Sequence, residues 1–191
     1  MRLTPPIVEA QIAGYVPILV YMVVVLPRVA RRNLRDILGP LGAPEARMGL
    51  IGAAAMFAAV EFVGAIQSAI FGHQPTQTAV RLFENTTRGV WLDLMIAVAV
   101  TLGPFVEELV FRGFLFNALW RRFSFAASAV VSGLLFGAAH GQAAGIVPLA
   151  AGGVVLAGIY ARSGSLWSST IAHGTFNGIT LVLLLVAGIK T

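Results

Sequence analysis

The sequence predicts an all-α membrane protein, a bundle of about six transmembrane helices that encloses a polar cavity. Apolar residues make up 58% of the 191 residues and charged residues only 11%, whereas an average soluble domain has about 25% charged residues. The mean hydropathy is +0.86, and the apolar residues fall into runs long enough to cross a bilayer as helices. Residues 1–191 are therefore predicted to form a single transmembrane domain.

Six apolar segments are predicted to span the membrane, because a spanning helix needs about 20 mainly apolar residues. They are residues 7–26, 48–71, 91–120, 124–140, 146–161 and 166–189. Gly39-Pro40 and Pro44 are expected to break any helix that runs through the basic stretch 28–47. The third segment contains Pro104, which lacks a backbone N–H, so a kink or a new helix start is expected there. Residues 72–90 are polar and are predicted to form a loop.

The net charge of +5 does not indicate a nucleic-acid partner, because the arginines lie in short stretches between apolar runs. Eight of the 13 basic residues lie in 28–47, 120–123 and 161–165: Arg28, Arg31, Arg32, Arg35, Arg47, Arg121, Arg122 and Arg162. By the positive-inside rule these stretches are predicted to be cytoplasmic, with both termini outside. We expect a multi-pass protein of a bacterial-type inner membrane, in contact with lipid and without a cleaved signal peptide.

Six polar or ionisable side chains fall inside three of the predicted spans. They are Glu107, Glu108, Arg112, His140, His173 and Asn177. An ionisable group at membrane depth costs about 2.5–3.5 kcal/mol on insertion scales and is a functional hypothesis by default. The chain has no cysteine, which excludes a disulfide framework and a Cys-based zinc site. The six groups are predicted to converge in one polar pocket.

The two glutamates of the third segment are predicted to differ in their surroundings. Glu108 and Arg112 are four residues apart, so they lie on one helix face and can pair. Glu107 is rotated from Glu108 by about 100° and has no predicted partner on its own helix. If a helix restarts at Pro104, both glutamates lie in its first turn, where the helix dipole favours negative charge. The alternative is a salt bridge that only stabilises packing.

Two histidines on later segments complete the candidate chemistry. His140 shares a helix face with Phe136, and His173 lies one turn before Asn177. An imidazole beside a carboxamide supplies two N–H donors, which suits a developing oxyanion. The structural alternative is a buried histidine and an interhelical hydrogen bond worth about 0.6 kcal/mol.

These residues fit hydrolysis of an amide bond by water. Glu107, helped by His140, would take a proton from the water, and His173 and Asn177 would stabilise the tetrahedral intermediate. A metal mechanism stays open, because His140, His173 and a carboxylate could hold zinc or another divalent ion with water as the fourth ligand.

Three motifs resemble those of the CAAX-protease and bacteriocin-processing family of intramembrane peptidases, in its prokaryotic form. They are Glu107-Glu-Leu-Val-Phe-Arg112, Phe136-Gly-Ala-Ala-His140 and His173-Gly-Thr-Phe-Asn177, all within residues 104–178. The resemblance implies an all-α membrane fold and an endopeptidase acting on a membrane-associated peptide or protein.

By the same resemblance, Glu107 and His140 correspond to the water-activating pair, and His173 and Asn177 to the oxyanion-stabilising pair. Glu108, Arg112 and Phe136 correspond to supporting residues. A metal-free mechanism is favoured, because an asparagine side chain suits an oxyanion donor better than a metal ligand.

Two functions of other classes compete with the peptidase. A proton-coupled transporter would explain Glu9 and Glu61, which also lie in predicted spans and which a peptidase does not need. A non-enzymatic immunity or scaffold protein could use the same fold only for binding.

Overall fold

The computed structural model describes residues 5–72 and 89–186, and every regular element within these ranges is helical. The helices are α1 (Pro5–Ala30), α2 (Leu34–Leu38), α3 (Ala43–Phe71), α4 (Val90–Trp120), α5 (Phe125–Ala139), α6 (Ile146–Ser163) and α7 (Leu166–Val186). A 3₁₀ turn at Ala143–Gly145 precedes α6. The predicted all-α fold class is confirmed. Most of the predicted loop 72–90 and the end of the predicted sixth span lie outside the described residues.

Four of the described helices are long and apolar enough to cross a membrane. They are Ile7–Val29, Ala43–Phe71, Val90–Trp120 and Ala143–Ser163. The predicted fourth span forms α5, which is apolar but has only 15 residues. The predicted sixth span forms α7, whose first half carries several polar side chains that lower its hydropathy. The chain is a multi-pass membrane protein, but the count of six spans is not confirmed.

Proline, serine and glycine residues set several helix ends. Helix α2 ends at Leu38 and α3 begins at Ala43 with Pro44 in its first turn, so the predicted break in the basic stretch is confirmed. The Ser124 side chain caps α5 by accepting a hydrogen bond from the N–H of Ala127. Gly164 ends α6 with a left-handed φ of 65°, and its N–H donates to the Tyr160 carbonyl.

Helix α4 continues through Pro104 without a break, so a new helix start there, one of the two predicted alternatives, is wrong. The backbone stays right-handed helical from Ala97 to Gly103, and the N–H of Gly103 donates to Val98 five residues back. This is the π-helical pattern, which extends over Val98–Leu102 and recurs over Leu109–Phe116. The π turn accommodates the proline without ending the helix. Glu107 and Glu108 consequently lie in mid-helix rather than in a first turn.

The helices around the centre pack closely where glycines face a neighbouring backbone. A Cβ added at Gly133 would lie 2.6 Å from the Ala150 carbonyl oxygen, and one at Gly137 would overlap the Ile146 carbonyl. These glycines let α5 lie against α6, as small residues do in membranes. Gly141 recurs at the same spacing but follows the end of α5, with φ of +71° and no atom within 4 Å of an added Cβ.

Gly174 lets α7 approach the π-helical part of α4. A Cβ added at Gly174 would overlap the carbonyl oxygen of Val100, whereas one at Gly178 would make an ordinary 3.8 Å contact with the Val100 side chain. The close approach at Gly174 brings both polar side chains of α7, His173 and Asn177, near α4.

We expect Gly174→Ala to lower the free energy of unfolding by about 1–3 kcal/mol, because the added methyl group forces the backbones apart. Gly178→Ala is the matched control on the same helix and should change stability little. Denaturant unfolding in mixed micelles, followed by circular dichroism, measures both. Equal stability of the two variants would contradict this packing.

Candidate active site

The candidate site forms where α4, the end of α5 and the first half of α7 meet. The Oε2 atom of Glu107 lies 4.0 Å from Nε2 of His140 and 3.9 Å from Nε2 of His173. The exposed fractions of these side chains are 24% for Glu107, 32% for His140 and 3% for His173. The structure therefore brings these three sequence-predicted residues together, with the site open on the side of Glu107 and His140.

Glu108 forms the buried centre of the polar network. Its Oε1 accepts hydrogen bonds from Arg112 at 2.7 Å and from Nδ1 of His173 at 3.1 Å. The other end of the guanidinium donates to the Gly153 carbonyl at 2.9 Å. The predicted Glu108–Arg112 pair is present, and neither side chain is exposed. The bond to His173 was not predicted, and it ties the carboxylate of α4 to α7.

The hydrogen bonds at Nδ1 assign the tautomers of both histidines. Nδ1 of His140 lies 2.9 Å from the Phe136 carbonyl oxygen, which can only accept, so this nitrogen carries the proton. Nδ1 of His173 likewise donates to the Glu108 carboxylate. In the neutral form of each ring, Nε2 is then an acceptor, and both Nε2 atoms face the Oε2 atom of Glu107.

Phe136 packs against both imidazoles and against the buried guanidinium. Its fully buried ring lies 4.8 Å from the His140 ring and 5.4 Å from the His173 ring, measured between centroids. The guanidinium carbon of Arg112 lies 4.8 Å from the same centroid. The ring therefore contacts both histidines and makes a cation–π contact with the arginine. Phe136 thus contacts the cluster through its ring and through its backbone carbonyl.

Asn177 is held by a backbone acceptor that depends on Pro104. In the π register, the N–H of residue 104 would bond to the Ala99 carbonyl, but proline has no N–H. The Asn177 side chain donates to that carbonyl at 2.8 Å. An asparagine amide has two N–H donors, so this bond orients the group and uses one of them. The oxyanion-stabilising role expected for Asn177 needs one N–H donor, and the second N–H of the amide can supply it.

A tyrosine of α1 belongs to the site although sequence reasoning did not select it. The Tyr15 hydroxyl donates to Oε1 of Glu107 at 3.2 Å across 92 residues. Glu107 therefore has a hydrogen-bond partner on another helix, which the sequence did not predict. Tyr15 is one polar residue in a long apolar segment, and nothing in its local sequence marks it as functional.

The two glutamates that favour a transporter do not join this cluster. Glu9 of α1 and Glu61 of α3 are both exposed. Neither forms a hydrogen bond or an ion pair with another of the described residues. A proton relay needs a chain of neighbouring titratable groups. Among the described residues, no such chain runs through Glu9 or Glu61.

A zinc ion does not fit the described geometry. Tetrahedral zinc with bonds of about 2.1 Å holds its ligand atoms about 3.4 Å apart, less than the 3.9 and 4.0 Å found around Glu107. Within residues 5–72 and 89–186, no group of three or more His, Cys, Asp or Glu side chains could hold a metal ion. The metal-free mechanism stays a prediction.

Comparisons with known proteins match the part of the chain that contains this cluster. Residues 89–179 match the family model described as type II CAAX prenyl endopeptidase Rce1-like. The family resemblance is confirmed. The matched Rce1-like segment contains all three motifs and all four candidate catalytic residues, whereas Tyr15 lies outside it.

A curated relative matches a longer stretch of the chain. The chain is 28% identical over 122 residues to the Bacillus subtilis (strain 168) protein named "Putative membrane peptidase YdiL". The match covers 64% of this chain and 49% of that protein, so the chain spans about half the length of the relative. No solved structure matches this chain.

The buried ion pair can be tested independently of activity. Arg112→Ala leaves the Glu108 carboxylate buried with one partner fewer, and removing one partner of a buried pair costs about 3–5 kcal/mol. We expect a correspondingly large loss of thermal stability in detergent. Arg162→Ala, which removes an exposed arginine on α6, is the control and should unfold close to the parent temperature. Similar losses in both variants would contradict the central role of the pair.

Proposed function

We propose that this chain is an intramembrane endopeptidase that hydrolyses a peptide bond of a membrane-associated peptide or protein. The observation that carries the proposal is the convergence of Glu107, His140 and His173 around the Oε2 atom of Glu107. The match of residues 89–179 to a peptidase family supports it. Peptide bonds resist hydrolysis, and a carboxylate beside an imidazole is a general base suited to activating water.

The two separations near 4 Å are too long for direct hydrogen bonds and suit a bridging water molecule. In the proposed reaction, the water oxygen attacks the carbonyl carbon while Glu107, assisted by His140, accepts one water proton. The C–N bond then breaks, and Glu107 returns the proton to the leaving amine. The new carboxylic acid holds the water oxygen and the second water proton, which it then gives to the released amine, so atoms and charge balance.

The oxyanion of the tetrahedral intermediate would be stabilised by Asn177 and His173. Asn177 offers the N–H that does not bond to Ala99. His173 donates from Nε2 only when both of its ring nitrogens carry protons, because Nδ1–H bonds to Glu108. Glu108 is then the counter-charge of the imidazolium, and Arg112 remains paired with the same carboxylate.

We also propose that the chain spans a bacterial inner membrane six times, with α5 and α7 as the additional spans. The short apolar α5 and the 21-residue α7 lie side by side with the longer spans. The polar first half of α7 would be shielded from lipid by the contacts of His173 and Asn177 with α4.

The experiment that tests the catalytic roles uses the purified full chain in nanodiscs. The probes are a farnesylated peptide with a C-terminal CAAX sequence and a pool of unprenylated hydrophobic peptides, with cleavage read by mass spectrometry. We expect the parent to cleave at least one probe, and Glu107→Gln or His140→Ala to reduce kcat by about 10²–10⁴-fold, the usual contribution of general acid–base catalysis. Asn177→Ala should reduce kcat by about 10²–10³-fold.

The matched control for Glu107→Gln is Glu61→Gln, which neutralises an exposed carboxylate on α3. Parent-like folding of all variants is checked by circular dichroism. Cleavage of neither probe by the parent, or full activity of Glu107→Gln, would contradict the proposal.

Metal dependence has its own test. We expect activity to survive dialysis against a strong chelator, because the spacing of Glu107, His140 and His173 is wider than a tetrahedral zinc ion requires. Metal content of the dialysed protein is measured in parallel by mass spectrometry. Loss of activity that added zinc restores would contradict the metal-free mechanism.

A further inference from the structure

We propose that Tyr15 of α1 is a positioning residue for the carboxylate of Glu107, an inference that rests on the proposed function. The Tyr15 hydroxyl donates to Oε1 of Glu107 at 3.2 Å, while Oε2 faces the two imidazoles. The two oxygens of one carboxylate therefore have separate partners. The bond at Oε1 limits rotation of the carboxylate and keeps Oε2 directed at the water-binding position.

The packing of α1 fixes the depth at which Tyr15 meets α4. Val8 and Met22, two turns before and two turns after Tyr15, are both buried. Val8 belongs to a hydrophobic cluster with residues at the start of α4, and Met22 to another with residues near its end. Residues seven apart share a helix face, so Tyr15 is held between these anchors opposite the middle of α4.

A glycine of α4 makes room for the hydroxyl. A Cβ added at Gly103 would lie 3.1 Å from Oη of Tyr15, closer than ordinary van der Waals contact. Gly103 lies one turn before Glu107 on the same helix face. The Tyr15 side chain therefore lies against Gly103, which has no side chain, and its hydroxyl reaches the carboxylate of Glu107.

The first test detects the hydrogen bond without an activity assay. The chain has three tyrosines, so 3-fluorotyrosine labelling gives three ¹⁹F NMR signals, and Tyr15→Phe assigns one of them. We expect Glu107→Ala to shift the Tyr15 signal and to leave that of exposed Tyr21 unchanged. An unmoved Tyr15 signal would overturn the proposal.

Tyr160 provides the control for specificity. Its hydroxyl accepts a hydrogen bond from Asn117 at 2.7 Å, away from Glu107. Glu107→Ala should leave the Tyr160 signal unchanged, and Asn117→Ala should shift Tyr160 but not Tyr15. Equal shifts of all three signals in Glu107→Ala would mean a general rearrangement and would also overturn the proposal.

The second test separates positioning from folding and from substrate binding. With the peptide that the parent cleaves, Tyr15→Phe should lower kcat by about tenfold, the lower end of what a hydrogen bond to a charged group contributes. KM should stay within twofold, because the hydroxyl contacts Glu107 rather than substrate. Tyr21→Phe, which removes an exposed hydroxyl from the same helix, should keep parent kinetics.

The two proposals fail in different ways. Parent kcat in Tyr15→Phe, with Glu107→Gln inactive, would overturn the role of Tyr15 and leave the peptidase mechanism standing. Full activity of Glu107→Gln would overturn both. A rise in KM at unchanged kcat would assign Tyr15 to substrate binding and contradict positioning.

Discussion

The carboxylate of Glu108 is the group on which the rest of the site depends. It is fully buried and bonds both Arg112 and His173. Burying charge in a low-dielectric interior is costly, so such a group persists only when its partners are held in place. Here the partners lie on different helices. The carboxylate and the guanidinium are on α4, and the imidazole is on α7. The guanidinium also donates to the Gly153 carbonyl of α6. One ionic network thus links three helices and orients His173.

The two adjacent glutamates of α4 have different surroundings, which suit them to different roles. Glu108 faces the bundle, where the guanidinium and the imidazole share its Oε1 atom. Glu107, rotated by about 100°, is 24% exposed and lies near the His140 and His173 rings. A partly exposed carboxylate can exchange a proton with substrate, whereas a fully buried one with two donors is better suited to orientation. Phe136 lies between the two environments and contacts both.

Much of this arrangement could be predicted from the sequence, because burying polar groups in lipid is expensive enough to mark them. The helices, the Glu108–Arg112 pair and the meeting of Glu107 with both histidines follow from helical spacing and from that cost. The bonds of His173 to Glu108 and of Asn177 to Ala99 could not be predicted, since they depend on how α7 rotates against α4. The continuation of α4 through Pro104 depends on a π turn that has no local sequence signal. The bond between Tyr15 and Glu107 could not be predicted, because it arises from the packing of α1 against α4.

Solid-state ¹⁵N NMR of histidine-labelled protein in bilayers directly detects the hydrogen bond between His173 and the buried Glu108 carboxylate. The chain has three histidines, and a His73→Gln background leaves only the two of the site. We expect Nδ1 of His173 to be protonated, and its resonance to shift when Glu108→Gln removes the charge beside it. A non-protonated Nδ1 on His173, or a resonance that does not respond to Glu108→Gln, would contradict the buried network around Glu108.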